Sequence, residues 1–261
     1  MALSNPAFST PAFTQVARVA SRPSTTELDE LYRRPSASPV DTDRMSYDDV
    51  IVKTGIMLVF LLVGGAVGAV IPALMLPAMF VGLGLALINI FKKTPSPALI
   101  LAYAVVEGVF LGAISFTLER DLPGIILQAV LGTVIVLGVT LALFVSGRVR
   151  ASKRATKIFM IAGISYAAFS LMNLTLQLTG INQDPWGLNS ASVFGIPLGL
   201  IIGPLAILMA AYALVLDFTS IKNGVEQGAP RNLGWKAAFG LVLTVVWLYI
   251  EFLRLISIFR N

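Results

Sequence analysis

The chain has neither cysteine nor histidine among its 261 residues. The first absence removes disulfides and thiolate nucleophiles; the second removes the commonest metal ligand and the usual general base. Zinc hydrolase chemistry and a rhomboid-type serine mechanism are therefore not expected. Charge is scarce too. Asp, Glu, Lys and Arg make up 13% of the residues against 56% hydrophobic ones, and mean hydropathy is +0.84, a composition suited to lipid rather than water. The pI near 9.6 would point a soluble chain toward nucleic acid. Here the basic residues gather at the ends of apolar stretches, so the expected partner is the lipid bilayer, with no nucleic acid.

What is present divides into a polar N-terminal segment and a long apolar remainder. Residues 1–50 are rich in Ser, Thr and Pro and lack apolar periodicity, which reads as a disordered cytoplasmic tail. No signal peptide is expected, because residues 1–17 have no basic start and no continuous apolar core. Acidic residues outnumber the five arginines of the tail, so a polybasic lipid anchor is not supported. Ser46 followed by Asp49 resembles a capping box and marks a helix start just before the first span.

From residue 51 to 261 the sequence predicts an all-α integral membrane protein, a bundle of seven transmembrane helices over about 54–71, 74–91, 97–118, 124–146, 157–178, 193–218 and 237–259. The prolines Pro72 and Pro77 at the entrance of the second span leave a re-entrant hairpin as the alternative there. Lys92 and Lys93, the run from Arg148 to Lys157, and Lys222, Arg231 and Lys236 fill alternate loops. By the positive-inside rule these loops and the N-terminus are cytoplasmic and the C-terminus lies outside. Gly64, Gly65, Gly68, Gly82 and Gly84 predict close helix approach, and Gly203-Pro204 with Pro197 predicts a kink in the sixth span. Trp186, Trp235 and Tyr103 fit an aromatic belt at the interfaces.

Three acids interrupt the apolar spans: Glu107, Asp217 and Glu251. A carboxylate at the bilayer centre costs about 3 kcal/mol on insertion scales, so each must be paired, protonated or wetted. Gly108 and Gly112, on one face next to Glu107, predict that this face touches another helix. Glu251 has Arg254 one turn later, a counter-ion within its own helix. Asp217 falls near the end of the sixth span, where snorkelling or a bond from Thr219 or Ser220 would satisfy it. On the expected boundaries Asp217 lies roughly 17 Å from the span centre. Depth therefore favours Glu107 with Glu251 as the deeper pair, and a vertical series in which Arg254 screens the deepest acid.

Three motifs carry a resemblance. Glu107-Gly108-Val109-Phe110-Leu111-Gly112, the ending Leu216-Asp217-Phe218-Thr219-Ser220-Ile221, and Leu248-Tyr249-Ile250-Glu251 resemble signatures of the Bax-inhibitor family, also called the transmembrane Bax-inhibitor-motif family, and of its bacterial branch in particular. The likeness covers about residues 50 to 261. It implies a seven-helix bundle with the last helix at its centre, and a pH-sensitive calcium leak gated by an acid on each of the last two helices. Those positions are Asp217 and Glu251, which the resemblance makes the calcium ligands. Glu251 stands where the family has Asp, and Phe218 departs from its polar residue. The second span has no Arg to latch the pair, leaving Arg254 or Lys93 for that part, or no latch at all.

Two carboxylates in one partly buried site do not both ionise cheaply, so such a pair would titrate as a unit and protons would compete with calcium. Enzymatic activity is not expected. An intramembrane aspartyl protease needs two aspartates within the membrane, and only Asp217 is available. A structural or regulatory role through a membrane partner, or proton-coupled transport, are the alternatives. No resident cofactor is expected, and a bacterial inner membrane fits the chain.

Overall fold

A computed structural model describes residues 43–182, 184 and 186–260. Among them run seven long helices: α1 (Tyr47–Val70), α2 (Met75–Phe91), α3 (Pro97–Asp121), α4 (Ile125–Val145), α5 (Lys153–Leu178), α6 (Leu198–Glu226) and α7 (Leu233–Arg260). All seven are long and apolar enough to cross a membrane, α2 together with a 3-10 turn, Pro72–Leu74, before it. That turn separates the first two spans. Pro77 falls in the first turn of α2, where its missing N–H costs no helical bond.

Several boundaries differ from expectation for local reasons. α1 begins seven residues before the apolar span, at the start that the Ser46 cap predicts: Ser46 accepts from the Asp49 N–H at 3.2 Å. α6 begins later because a two-stranded hairpin, β1 (Ser192–Val193) with β2 (Ile196–Pro197), precedes it. Phe194 and Gly195 both take positive φ at its tip, as a tight hairpin turn requires. α6 also ends later, at Glu226. Gly228 there takes φ +64°, its N–H meets the Val225 carbonyl, and the Ala229 N–H meets Gly224 O at 2.9 Å, which closes the helix in a Schellman cap. The helix continues through Pro204, whose missing N–H leaves the Leu200 carbonyl without its helical donor. The expected tail lies outside the described residues over 1–42; its last residues, 43–50, are built into the bundle.

α7 is the most buried helix and packs against α1, α3, α4 and α6, so the last helix is central. Its face carrying Ala238, Phe239, Val242 and Val246 meets Met57, Tyr103 and Ala104 of α1 and α3. Tyr103 is 2% exposed and stacks edge-on with Phe239 at 5.1 Å. It is a core residue, not part of an interfacial belt. Trp186 turns inward as well, donating from Nε1 to Ser257 Oγ at 2.9 Å.

The closest seam joins α1 and α3. A Cβ on Gly64 or Gly68 would strike the backbone of Val105 or Val109, and one on Gly108 or Gly112 that of Leu61 or Gly65. Small residues replace the hydrophobic effect as the driving force in lipid, because backbone-to-backbone contact gains dispersion energy that lipid tails do not match. α5 is the opposite case, with no buried residue along its length.

Candidate functional site

The three intramembrane acids take up separate positions around α7, and no hydrogen bond or ion pair joins any two of them. Asp217 projects from α6 and accepts at Oδ2 from Thr244 Oγ1 of α7, 2.6 Å away. Thr219 and Ser220, the expected local donors, instead bond back to the carbonyls of Val215 and Leu216. Asp217 is half-buried and forms no ion pair. It lines a cavity of about 270 Å³ with Met45, Ser220, Gly224, Lys236 and Gly240 among its walls. The basic Lys236 in that wall is engaged elsewhere, donating to the carbonyl of Lys92 at 3.1 Å.

The longer α6 changes where Asp217 falls within its own helix. Counting from the observed ends, it lies about 7.5 Å past the helix midpoint instead of at the terminus. Its neighbour Phe218 packs on Phe144 with ring centroids 5.6 Å apart, which sets it level with the last turn of α4. Register against α4 and α7, rather than distance from a helix end, fixes its level.

Glu251 is 2% exposed and saturated with partners. Arg254 Nη2 donates to Oε2, Tyr166 of α5 donates its hydroxyl to Oε1, and Trp247 Nε1 donates to Oε1 at 3.0 Å. Arg254 also donates from Nη1 to the Tyr166 oxygen at 2.6 Å, and its guanidinium lies over that ring at 5.7 Å. Arg254 is thus the counter-ion, as the i, i+3 spacing anticipates. Lys93 is exposed on the loop and takes no part. A direct Asp217–Glu251 pair, which the resemblance implies, is not formed. Thr244, the α7 partner of Asp217, precedes Glu251 by two helical turns, about 10.5 Å along the axis.

Glu107 occupies the level between them on another face. It lines a cavity of about 280 Å³ with Met79, Tyr103, Leu243, Val246, Trp247 and Ile250. A Cβ on Gly82 would sit 2.8 Å from its Oε2, so glycine in α2 makes room for this carboxylate. Glu107 accepts no hydrogen bond from a described residue. The expected Glu107–Glu251 pair is likewise not formed: the two acids share only Trp247, which walls one cavity and donates to the other acid. What survives is the graded order along α7.

Sequence reasoning missed four partners. Tyr166 and Trp247 carried a signal, since a hydroxyl or indole N–H in mid-span needs an acceptor. Thr244 carried none, because threonine is common in spans. The fourth is Lys53, 8% exposed, which joins Asp49 at 2.5 Å and the Arg231 carbonyl at 2.7 Å. Arg231 binds Asp49 in turn at 3.1 Å, so the α6–α7 loop is pinned to the start of α1.

Seven apolar spans, the last of them a central helix that carries a buried ion pair, define a multi-pass integral membrane protein. The chain belongs to the Bax inhibitor 1-like family, whose model matches residues 5–261. The match takes in nearly all of the N-terminal segment, which the three motifs alone left outside. No curated protein matches the chain.

Proposed function

We propose that this protein is a pH-sensitive cation leak, with calcium as the permeant ion and Asp217 as the gating carboxylate. The observation that carries the reading is the state of Asp217: a half-buried carboxylate, held by one neutral hydroxyl, on the wall of a cavity. Calcium takes oxygen ligands, and Asp217, Thr244 and Ser220 offer them. Among the described residues no three His, Cys, Asp or Glu converge on a metal-sized site. One carboxylate with hydroxyls suits an ion in transit better than one held tightly.

Glu251 takes a different part in this reading. Its charge is neutralised by Arg254, so it positions α5 and α7 while Asp217, and Glu107 at the next level, meet the ion. Ionisation of Asp217 creates the anionic ligand and protonation removes it. The leak then rises with pH. The basic loops support an orientation with the Asp217 end of the bundle in the cytoplasm and the C-terminus outside, and in this reading the membrane is a bacterial inner membrane.

Purified protein in liposomes loaded with a calcium indicator tests this. Flux is expected to rise with pH, and Asp217→Asn to flatten that dependence while Glu107→Gln lowers flux at every pH. Flux equal to empty liposomes across the pH range rejects the leak. That result would favour a structural or regulatory role through a membrane partner, the reading to which the fully paired Glu251 lends support.

A further inference from the structure

The chain just before α1 runs along the α6–α7 loop as a short strap. Arg44 bridges Pro230 in antiparallel register. The Met45 N–H donates to the Ala229 carbonyl at 2.7 Å, and the Arg231 N–H donates to the Asp43 carbonyl at 2.9 Å. These are inter-strand bonds of the kind that close a sheet edge, although neither segment belongs to a strand. Both ends of the contact are fixed. The Gly228 cap holds the loop, the Asp49–Lys53–Arg231 cluster ties it to α1, and Ser46 starts α1 directly after the strap.

The strap places one side chain inward. Met45 is 4% exposed and packs with Val50 and Ile221. Its methyl group occupies the space that a Cβ on Gly224 would take. Met45 also forms part of the wall of the cavity that holds Asp217. A flexible, unbranched thioether fills irregular gaps and leaves them at modest cost.

We infer that residues 43–45 are a built-in closure of the Asp217 cavity, with Met45 as its plug and the pairing to Ala229–Arg231 as its catch. With the strap paired, Met45 blocks the end of the cavity bounded by Gly224 and Ala229. Release of the pairing withdraws the methionine and opens Asp217 to water from that end. This deepens the proposed leak by naming its gate, and rests on that reading only where flux is concerned.

Access to the cavity is measurable without flux. Ala237 also lines this cavity, and the chain has no cysteine, so Ala237→Cys puts a sole thiol in the cavity wall, to be labelled in micelles by a charged methanethiosulfonate. Adding Met45→Ala is expected to speed labelling at least about tenfold, since truncating a buried methionine removes packing energy enough to shift a closed–open balance by that factor. Adding Met45→Leu should leave the rate near that of Ala237→Cys alone. Equal rates in all three proteins overturn the plug. Should Met45→Ala fail to fold, Arg44→Cys with Pro230→Cys tests the catch. The two form the closest type of antiparallel pair, with Cα atoms about 4.5 Å apart and within disulfide reach. In liposomes the oxidised protein should leak less than the reduced one, and equal flux in both forms overturns the strap. Absence of flux in the unaltered protein rejects the leak instead, and the labelling rates then decide the closure by themselves.

Discussion

The α1–α3 seam and the attachment of α5 solve one problem in opposite ways. α1 and α3 meet through glycines whose missing side chains let backbone touch backbone. α5 buries no residue and is held by polar contacts at separate levels: Thr156 to Tyr212 at 2.9 Å, Tyr166 to Glu251 and Arg254, and Asn173 to the Trp186 carbonyl at 3.2 Å. In lipid, burying apolar surface between helices gains little, since lipid tails are as apolar as leucine. Only tight dispersion contact or a hydrogen bond distinguishes a helix neighbour from lipid. The glycine seam is continuous and rigid. The polar attachment is discrete, so each spoke is separately breakable.

The largest expected effect falls where a polar spoke is also an ion pair. Glu251→Leu leaves Arg254 buried without its carboxylate and should cost about 3–5 kcal/mol, read as thermal unfolding in micelles. Glu251→Leu with Arg254→Leu should recover part of that loss; a double variant no better than the single one would show that the charges do not depend on each other. The glycine seam comes next. Gly112→Ala drives a methyl into the backbone at Gly65 and should cost about 1–3 kcal/mol, and an unchanged melting temperature would mean that the helices are not in backbone contact.

These two substitutions probe what was readable in the sequence to different extents. Gly108 and Gly112 were legible as a contact face because their spacing alone places them together, and the structure puts α1 on that face. The Glu251–Arg254 pair was legible for the same reason. Tyr166 as the third member was not, since it lies 85 residues away and only the packing of α5 brings it to Glu251. Nor was the separation of Asp217 from Glu251 legible, because it depends on helix register.

Smaller effects sharpen the contrast. Tyr166→Phe keeps the ring but removes the hydroxyl shared by Glu251 and Arg254, and should cost about 1–2 kcal/mol. Tyr212→Phe breaks the spoke to Thr156 in a more exposed setting and should cost about 0.6 kcal/mol. Stability unchanged in both would mean that α5 is held by lipid and loops rather than by its polar contacts. Gly138→Ala is the control for the glycine seam. A Cβ there meets nothing within 4 Å, so the change should be neutral or stabilise by about 0.5–1 kcal/mol, with the sign given by the same melting measurement.

The sequence by itself determined the seven spans, the family and the three acids that have to find company in lipid. All of these follow from local facts: the length of an apolar run, the desolvation cost of a carboxylate, the spacing of residues along one helix. Beyond the Glu251–Arg254 pair, the company each acid keeps was decided only by tertiary structure. A helix apolar on every side carries no stripe to say which face turns inward, and several expected ends were wrong by up to eight residues. Rotation and register about α7 therefore gave Asp217 to Thr244, Tyr166 to the Glu251–Arg254 pair, and Glu107 to a cavity beside Gly82. The same packing laid the strap with Met45 over the chamber of Asp217.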